Sequence, residues 1–119
     1  MATQEKLFAI LEALPNVSQS PHFNKLSFRI GKKIFVTFDT ATSLACFRFP
    51  AIEQSIYTAI DKGIIYAVPN KWGKQGWTFV DIHALQDEGL LKEMVDCAYG
   101  HLAGTKGMHN LNRNSAEKD

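Results

Sequence analysis

Several things are scarce in this chain, and each scarcity excludes a class of protein. No hydrophobic run approaches the ~20 residues a membrane-crossing helix needs, so no span of that kind is expected. The amino terminus, Met-Ala-Thr-Gln-Glu-Lys, lacks the basic-then-apolar layout of a signal peptide, and the expected location is therefore the cytoplasm. There are two cysteines, Cys46 and Cys97, far apart and without Cys-x-x-Cys spacing. They read as small hydrophobes in a reducing compartment, with no redox or metal role.

Net charge is scarce too. Thirteen Lys and Arg against 12 Asp and Glu give +1, so no global field advertises nucleic acid, and such a partner would need local clusters of charge. Catalytic patterns are missing. No serine sits in a Gly-x-Ser-x-Gly elbow and no Gly-x-x-x-x-Gly-Lys loop occurs. His22, His83, His101 and His109 are scattered without ligand spacing. Asp39, Asp81 and Asp87 fall in different elements, and nothing in the sequence pairs them. The expectation is a non-enzymatic protein with no metal and no cofactor.

What is present is an ordinary globular composition over 119 residues, enough for one domain with its own core. Leu7, Ile10, Leu11 and Leu14 recur at helical spacing, with Thr3 placed to cap the start and Pro15 to stop the end. The polar stretch from Asn16 to Asn24 has room for one short extended piece. Leu26, Phe28 and Ile30 then alternate with polar residues in the period of a half-buried strand. A turn at Gly31-Lys32 leads to a return strand from Ile34 to Phe38, and the short spacing makes the pair an antiparallel hairpin. A third strand is expected from Leu44 to Phe49. Pro50 reads as the first residue of a second helix, whose buried stripe would be Ile52, Ile56 and Ile60 and whose end would be a left-handed Gly63. Ile64 to Val68 reads as a fourth strand and Trp77 to Ile82 as a fifth. A last helix starts near Asp87, carries Leu91, Met94, Val95, Ala98 and Leu102 inward, and stops at Gly104.

Hairpin-linked strands with helices gathered on one face give an α+β fold: a two-layer sandwich with an antiparallel sheet of about five strands. The domain is expected to span residues 1–104, followed by a polar, disordered tail over 105–119.

The most distinctive stretch is Pro69 to Ile82, which holds both tryptophans, Trp72 and Trp77, with Gly73, Gly76, Lys71 and Lys74. It reads as a Gly-rich turn between two strands. Together with Leu14-Pro-Asn-Val, Ser20-Pro-His-Phe and Ser27-Phe-Arg-Ile-Gly-Lys-Lys-Ile-Phe, the segment Trp72-Gly-Lys-Gln-Gly-Trp-Thr makes the chain resemble the MmcQ/YjbR family. The resemblance runs from the first helix to Ala98-Tyr99. It implies a frataxin-like (CyaY-like) α+β fold and a DNA-binding protein that touches the duplex with two hairpin wings. The chain departs from the family pattern after the last helix, where Ala103-Gly-Thr-Lys-Gly replaces an Ala-Pro followed by a basic residue. Frataxin-like folds can bind iron on acidic ridges, but Glu5 and Glu12 against Lys6 are too sparse for one.

The residues placed to contact DNA or another anion are Arg29, Lys32 and Lys33 on the first hairpin and Lys71, Trp72 and Lys74 on the second connection. Lysines at turns are also common as solvated residues that block stray strand pairing. Arg29, out of phase with its apolar neighbours, either forks onto a phosphate or pairs with an acid such as Asp81. Trp77 is expected in the core, and Trp72 either exposed or folded over the sheet. DNA, if it is the partner, would be bound weakly and without sequence preference. The alternative is a small ligand- or protein-binding domain in which His22, Arg29, Trp72 and Trp77 line a pocket for an anionic molecule or a peptide.

Overall fold

The computed structural model describes residues 2–104. The expected tail, 105–119, lies outside the described residues. The element order is α1 (Gln4–Glu12), β1 (Val17–His22), β2 (Lys25–Ile30), β3 (Lys33–Asp39), β4 (Leu44–Arg48), α2 (Ala51–Ile60), β5 (Ile65–Ala67), α3 (Lys71–Lys74), β6 (Trp77–Asp81) and α4 (Glu88–Ala103). The strands form one antiparallel sheet in the order β1-β2-β3-β4-β6-β5. The sheet therefore has six strands rather than about five. The polar run after the first helix supplies the sixth, because Ser18 and Ser20 pair across to Arg29 and Ser27 at an edge that needs no apolar face.

One face of the sheet carries Phe28, Phe38, Phe47 and Phe49, each at most 1% exposed. The helices lie on that face. Phe8 of α1 meets Phe28 and Phe38, Tyr57 of α2 meets Phe49, and Tyr99 of α4 meets Phe35. A register shift lets β3 contribute more than alternation would allow. Phe28 pairs with Val36 but Arg29 pairs with Ile34, so Phe35 is an extra residue, and both Phe35 and Val36 are fully buried.

The caps of α1 and α4 follow the sequence. Thr3 Oγ1 accepts from Lys6 N and Asp87 Oδ1 accepts from Leu90 N, while Gly104 closes α4 at φ +70°. The second helix does not follow it. Pro50 is the N-cap residue, not the first helical one, and the helix ends on an extended Asp61 whose carboxylate accepts from Gly63 N. Gly63 is not left-handed. The isoleucine stripe points outward, with Ile52, Ile56 and Ile60 exposed by 71%, 56% and 54%. Tyr57 is the buried residue, and Gln54, one turn before it, and Thr58, next to it, are partly buried. The reason lies in Gln54. Its amide nitrogen donates to Gly73 O (2.9 Å) and Thr78 Oγ1 (3.0 Å), with a longer contact to Trp77 O, so tertiary hydrogen bonds, not apolar periodicity, fix the rotation of α2.

Candidate functional site

The Gly-rich stretch from Pro69 to Gly76 is not a plain turn. Asn70 caps a single helical turn, α3, by accepting from Trp72 N at 2.9 Å. The glycines are there for approach to the main chain. A Cβ on Gly73 would stand 2.0 Å from Val68 O, and one on Gly76, at φ +106°, would stand 2.1 Å from Phe49 O. Both glycines thus serve close backbone approaches, and Gly76 also a positive φ that other residues resist.

Strand polarity places the two basic connections at the same end of the sheet. β2 runs up to the Gly31-Lys32 loop, where Gly31 takes φ +63° at the first loop position. β5 runs up toward α3, and β6 returns from Trp77. Three strand spacings, about 14 Å, separate the two hairpins across the sheet. Lys32, Lys33, Lys71 and Lys74 are all exposed at this end. Trp72 is 49% exposed, with the Lys71 Nζ 5.6 Å from its ring centre.

The second sheet face, opposite the helices, is organised in transverse rows set by strand register. The upper row, nearest the basic loops, reads Trp77, Arg48, Ile34, Arg29 and Ser18 across β6, β4, β3, β2 and β1. The middle row reads Tyr66, Phe79, Cys46, Thr37, Ser27 and Ser20. The lower row holds Asp81, Leu44, Asp39 and Lys25. Charge is thus graded along the face, with arginines at one end and carboxylates at the other.

Several polar groups in this array have a definite tether. Arg29 Nε donates to Ser27 Oγ at 3.3 Å, and Ser27, wholly buried beneath it, also meets Ser20. Arg48 reaches the rim of the sheet, where its Nε donates to Gln75 O at 3.1 Å. At the far end Asp39 and Asp81 accept from Ala41 N and Ala84 N and so serve as turn caps. Among the described residues the ion pairs are Lys6–Glu88 and Lys92–Asp96, both on helices. Neither arginine of the face has a described carboxylate within 4 Å, so the pairing of Arg29 with Asp81 does not form. Burial pushes the Cys46 thiol up to about 12 against an opposing pull from Lys25. His101, on α4 behind the same rim, has its pKa lowered by burial and then by the Arg48 charge, with Glu53 opposing.

The sequence-derived residues divide accordingly. Arg29, Lys32, Lys33, Lys71, Trp72 and Lys74 share one end of the molecule. Trp77 is half-buried on the open face and not in the core, because it pairs with Arg48 in the outward phase while Thr78 takes the inward one. The backbone of His22 pairs with Lys25 at the opposite end of β1 from Ser18, so the register places His22 away from the row of Arg29 and Trp77 that the pocket reading joined it to. Among the described residues a concavity lies elsewhere: a groove of about 1100 Å³ between α2 and α4, lined by Glu53, Ile56, Tyr57, Glu93 and Cys97 among others. There Tyr57 OH donates to Glu93 Oε2 at 3.0 Å, and burial pushes the Cys97 thiol up to about 11. Sequence reading missed Arg48, Phe79 and Tyr66. The outward phase of the third and fifth expected strands was the available signal for Arg48 and Phe79. Among the described residues no cluster of three metal-ligating side chains occurs, and no helix is long and apolar enough to cross a membrane.

A single six-stranded antiparallel sheet with its helices on one side and the other side open defines an α+β protein of two layers. The same architecture is seen in the crystal structure of Deinococcus radiodurans protein DR2400, a DUF419-domain protein, with a TM-score of 0.75 and 18% identity over 95% of this chain and 86% of that one. The YjbR family model matches residues 12–101, and the chain belongs to the YjbR family. A comparison with curated proteins finds no match.

Proposed function

We propose that this protein is a non-enzymatic DNA-binding protein of the YjbR type that holds phosphates with the basic end of its sheet. The observation that carries the reading is the convergence of both basic connections on one end of the fold. Lys32 and Lys33 on one side and Lys71 and Lys74 on the other flank Arg29 and Arg48, and among the described residues none of these cations has a carboxylate partner within 4 Å. Cations without a carboxylate partner keep their attraction for a phosphate backbone, and each phosphate neutralised releases condensed counterions. Trp72 adds an exposed ring at the same end.

The test is fluorescence anisotropy with a labelled duplex of random sequence at low and moderate salt. Binding is expected near the non-specific range of roughly 10⁻⁴–10⁻⁶ M at physiological salt and tighter at low salt. The paired substitution Lys32→Glu with Lys74→Glu should weaken it strongly, since both loops are exposed and their exchange leaves the core untouched. Absence of binding at low salt, or indifference to the double exchange, would remove the reading.

A further inference from the structure

The open face of the sheet has chemistry that phosphate contact alone does not use. Its middle row begins with Tyr66 and Phe79, whose ring centres are 5.6 Å apart, and Trp77 stands beside them one row up. All three side chains are partly exposed. The three long helices α1, α2 and α4 pack on the other face through Phe8, Tyr57 and Tyr99. Aromatic side chains in outward phase on an uncovered sheet are a poor solution for solubility and a good one for stacking.

The same face supplies charge in register with those rings. Arg48 is the cross-strand partner of Trp77, and Arg29 lies in the same row two strands further on. Successive rows on one face are about 7 Å apart along the strands, and the full sheet is about 24 Å wide. A cationic row set one step from an aromatic row matches the way a nucleotide carries its phosphate to one side of its base. The far row holds Asp39 and Asp81 beside Lys25, so its net charge is negative and the arginine row is the edge that favours phosphates.

We infer that the open face binds an unpaired nucleic-acid strand, with phosphates along Arg29, Arg48 and the loop lysines and bases stacked on Trp77, Phe79 and Tyr66. The inference rests on the nucleic-acid reading above and names its ligand more narrowly. A duplex keeps its bases stacked on one another and offers this face only phosphates. An unpaired strand offers both, over a site of about four nucleotides or somewhat more. Ser27, in the middle row, is wholly buried and its hydroxyl is already bonded to Ser20, so it reads no base edge.

The test compares three labelled probes on the intact protein at one salt concentration: an oligo(dT) of fifteen nucleotides, an abasic strand of equal length, and a duplex. The oligo(dT) is expected to bind about tenfold or more tighter than the abasic strand, because the phosphates are the same and only the bases differ. It should also bind more tightly than the duplex and quench tryptophan emission. Tyr66→Thr with Phe79→Thr, which keeps strand-forming residues at half-exposed positions, should reduce oligo(dT) binding about tenfold and leave duplex binding within about twofold. If that variant does not fold by circular dichroism, the abasic comparison on the unaltered protein decides. Equal binding of oligo(dT) and the abasic strand, or a duplex bound as tightly as oligo(dT), would overturn the single-strand inference while leaving the DNA reading intact. Binding of none of the three would overturn both.

Discussion

Gly76 and Gly31 both have positive φ, yet they are held for different reasons. Gly31 stands at a hairpin tip, where an added Cβ would meet nothing within 4 Å, so Gly31→Ala should cost only the left-handed backbone penalty, about 1 kcal/mol. Gly76 combines φ +106° with a main-chain oxygen 2.1 Å from where a Cβ would be. Gly76→Ala should therefore cost about 3 kcal/mol or more. Urea midpoints at unchanged m-value separate the two, and equal losses would contradict the close approach. His101 gives a pH-dependent counterpart. Burial and Arg48 lower its pKa in the folded state, so the neutral ring is favoured there. The stability this contributes is complete above the ordinary histidine range and is lost as pH falls below it, because the unfolded chain then takes up the proton first. His101→Gln should flatten the stability profile just below pH ~6.5, measured by urea midpoints across that window. At this scale the sequence was legible for Arg29, whose outward phase follows from alternation. It was not legible for Trp77, where ring size argued for the core and register decided otherwise.

The second helix shows what an element-level pattern can and cannot say. Ile52, Ile56 and Ile60 keep perfect helical spacing, but spacing identifies a stripe without saying which way it faces. Gln54 decides the direction by bonding to α3 and β6. Ile56→Gln should accordingly change stability by no more than about 0.5 kcal/mol, whereas Tyr57→Ala should cost about 3 kcal/mol, since its ring lies 4.8 Å from Phe49 in the core. Thermal or urea unfolding of the two variants checks this, and a large loss in Ile56→Gln would restore the buried stripe. The short helix α3 was hidden for a related reason. Lys-Trp-Gly-Lys has no helical periodicity to detect; the Asn70 cap, the Gln54 bond to Gly73 O and the fit of Gly73 against Val68 hold the turn.

For the whole molecule the consequential property is that a net charge of +1 is unevenly distributed. Arg29, Lys32, Arg48, Lys71 and Lys74 gather at one end, while Asp39 and Asp81 cap turns at the other. If about five phosphates are neutralised, the logarithm of duplex affinity should fall with the logarithm of salt at a slope of about −4.5, and Lys32→Glu with Lys74→Glu should flatten that slope by about 2. A slope near zero would mean that the basic end is only a solvated surface.

The sequence by itself determined the α+β class, the two outer helices with their caps, the first hairpin and the family, because each depends on local periodicity, turn chemistry or motif order. The tertiary structure decided the rest. Which face of α2 is buried, which phase of β6 is outward and which ends of the strands coincide all depend on partners distant in the chain. The rows of the open face exist only through cross-strand register, and no single segment contains them.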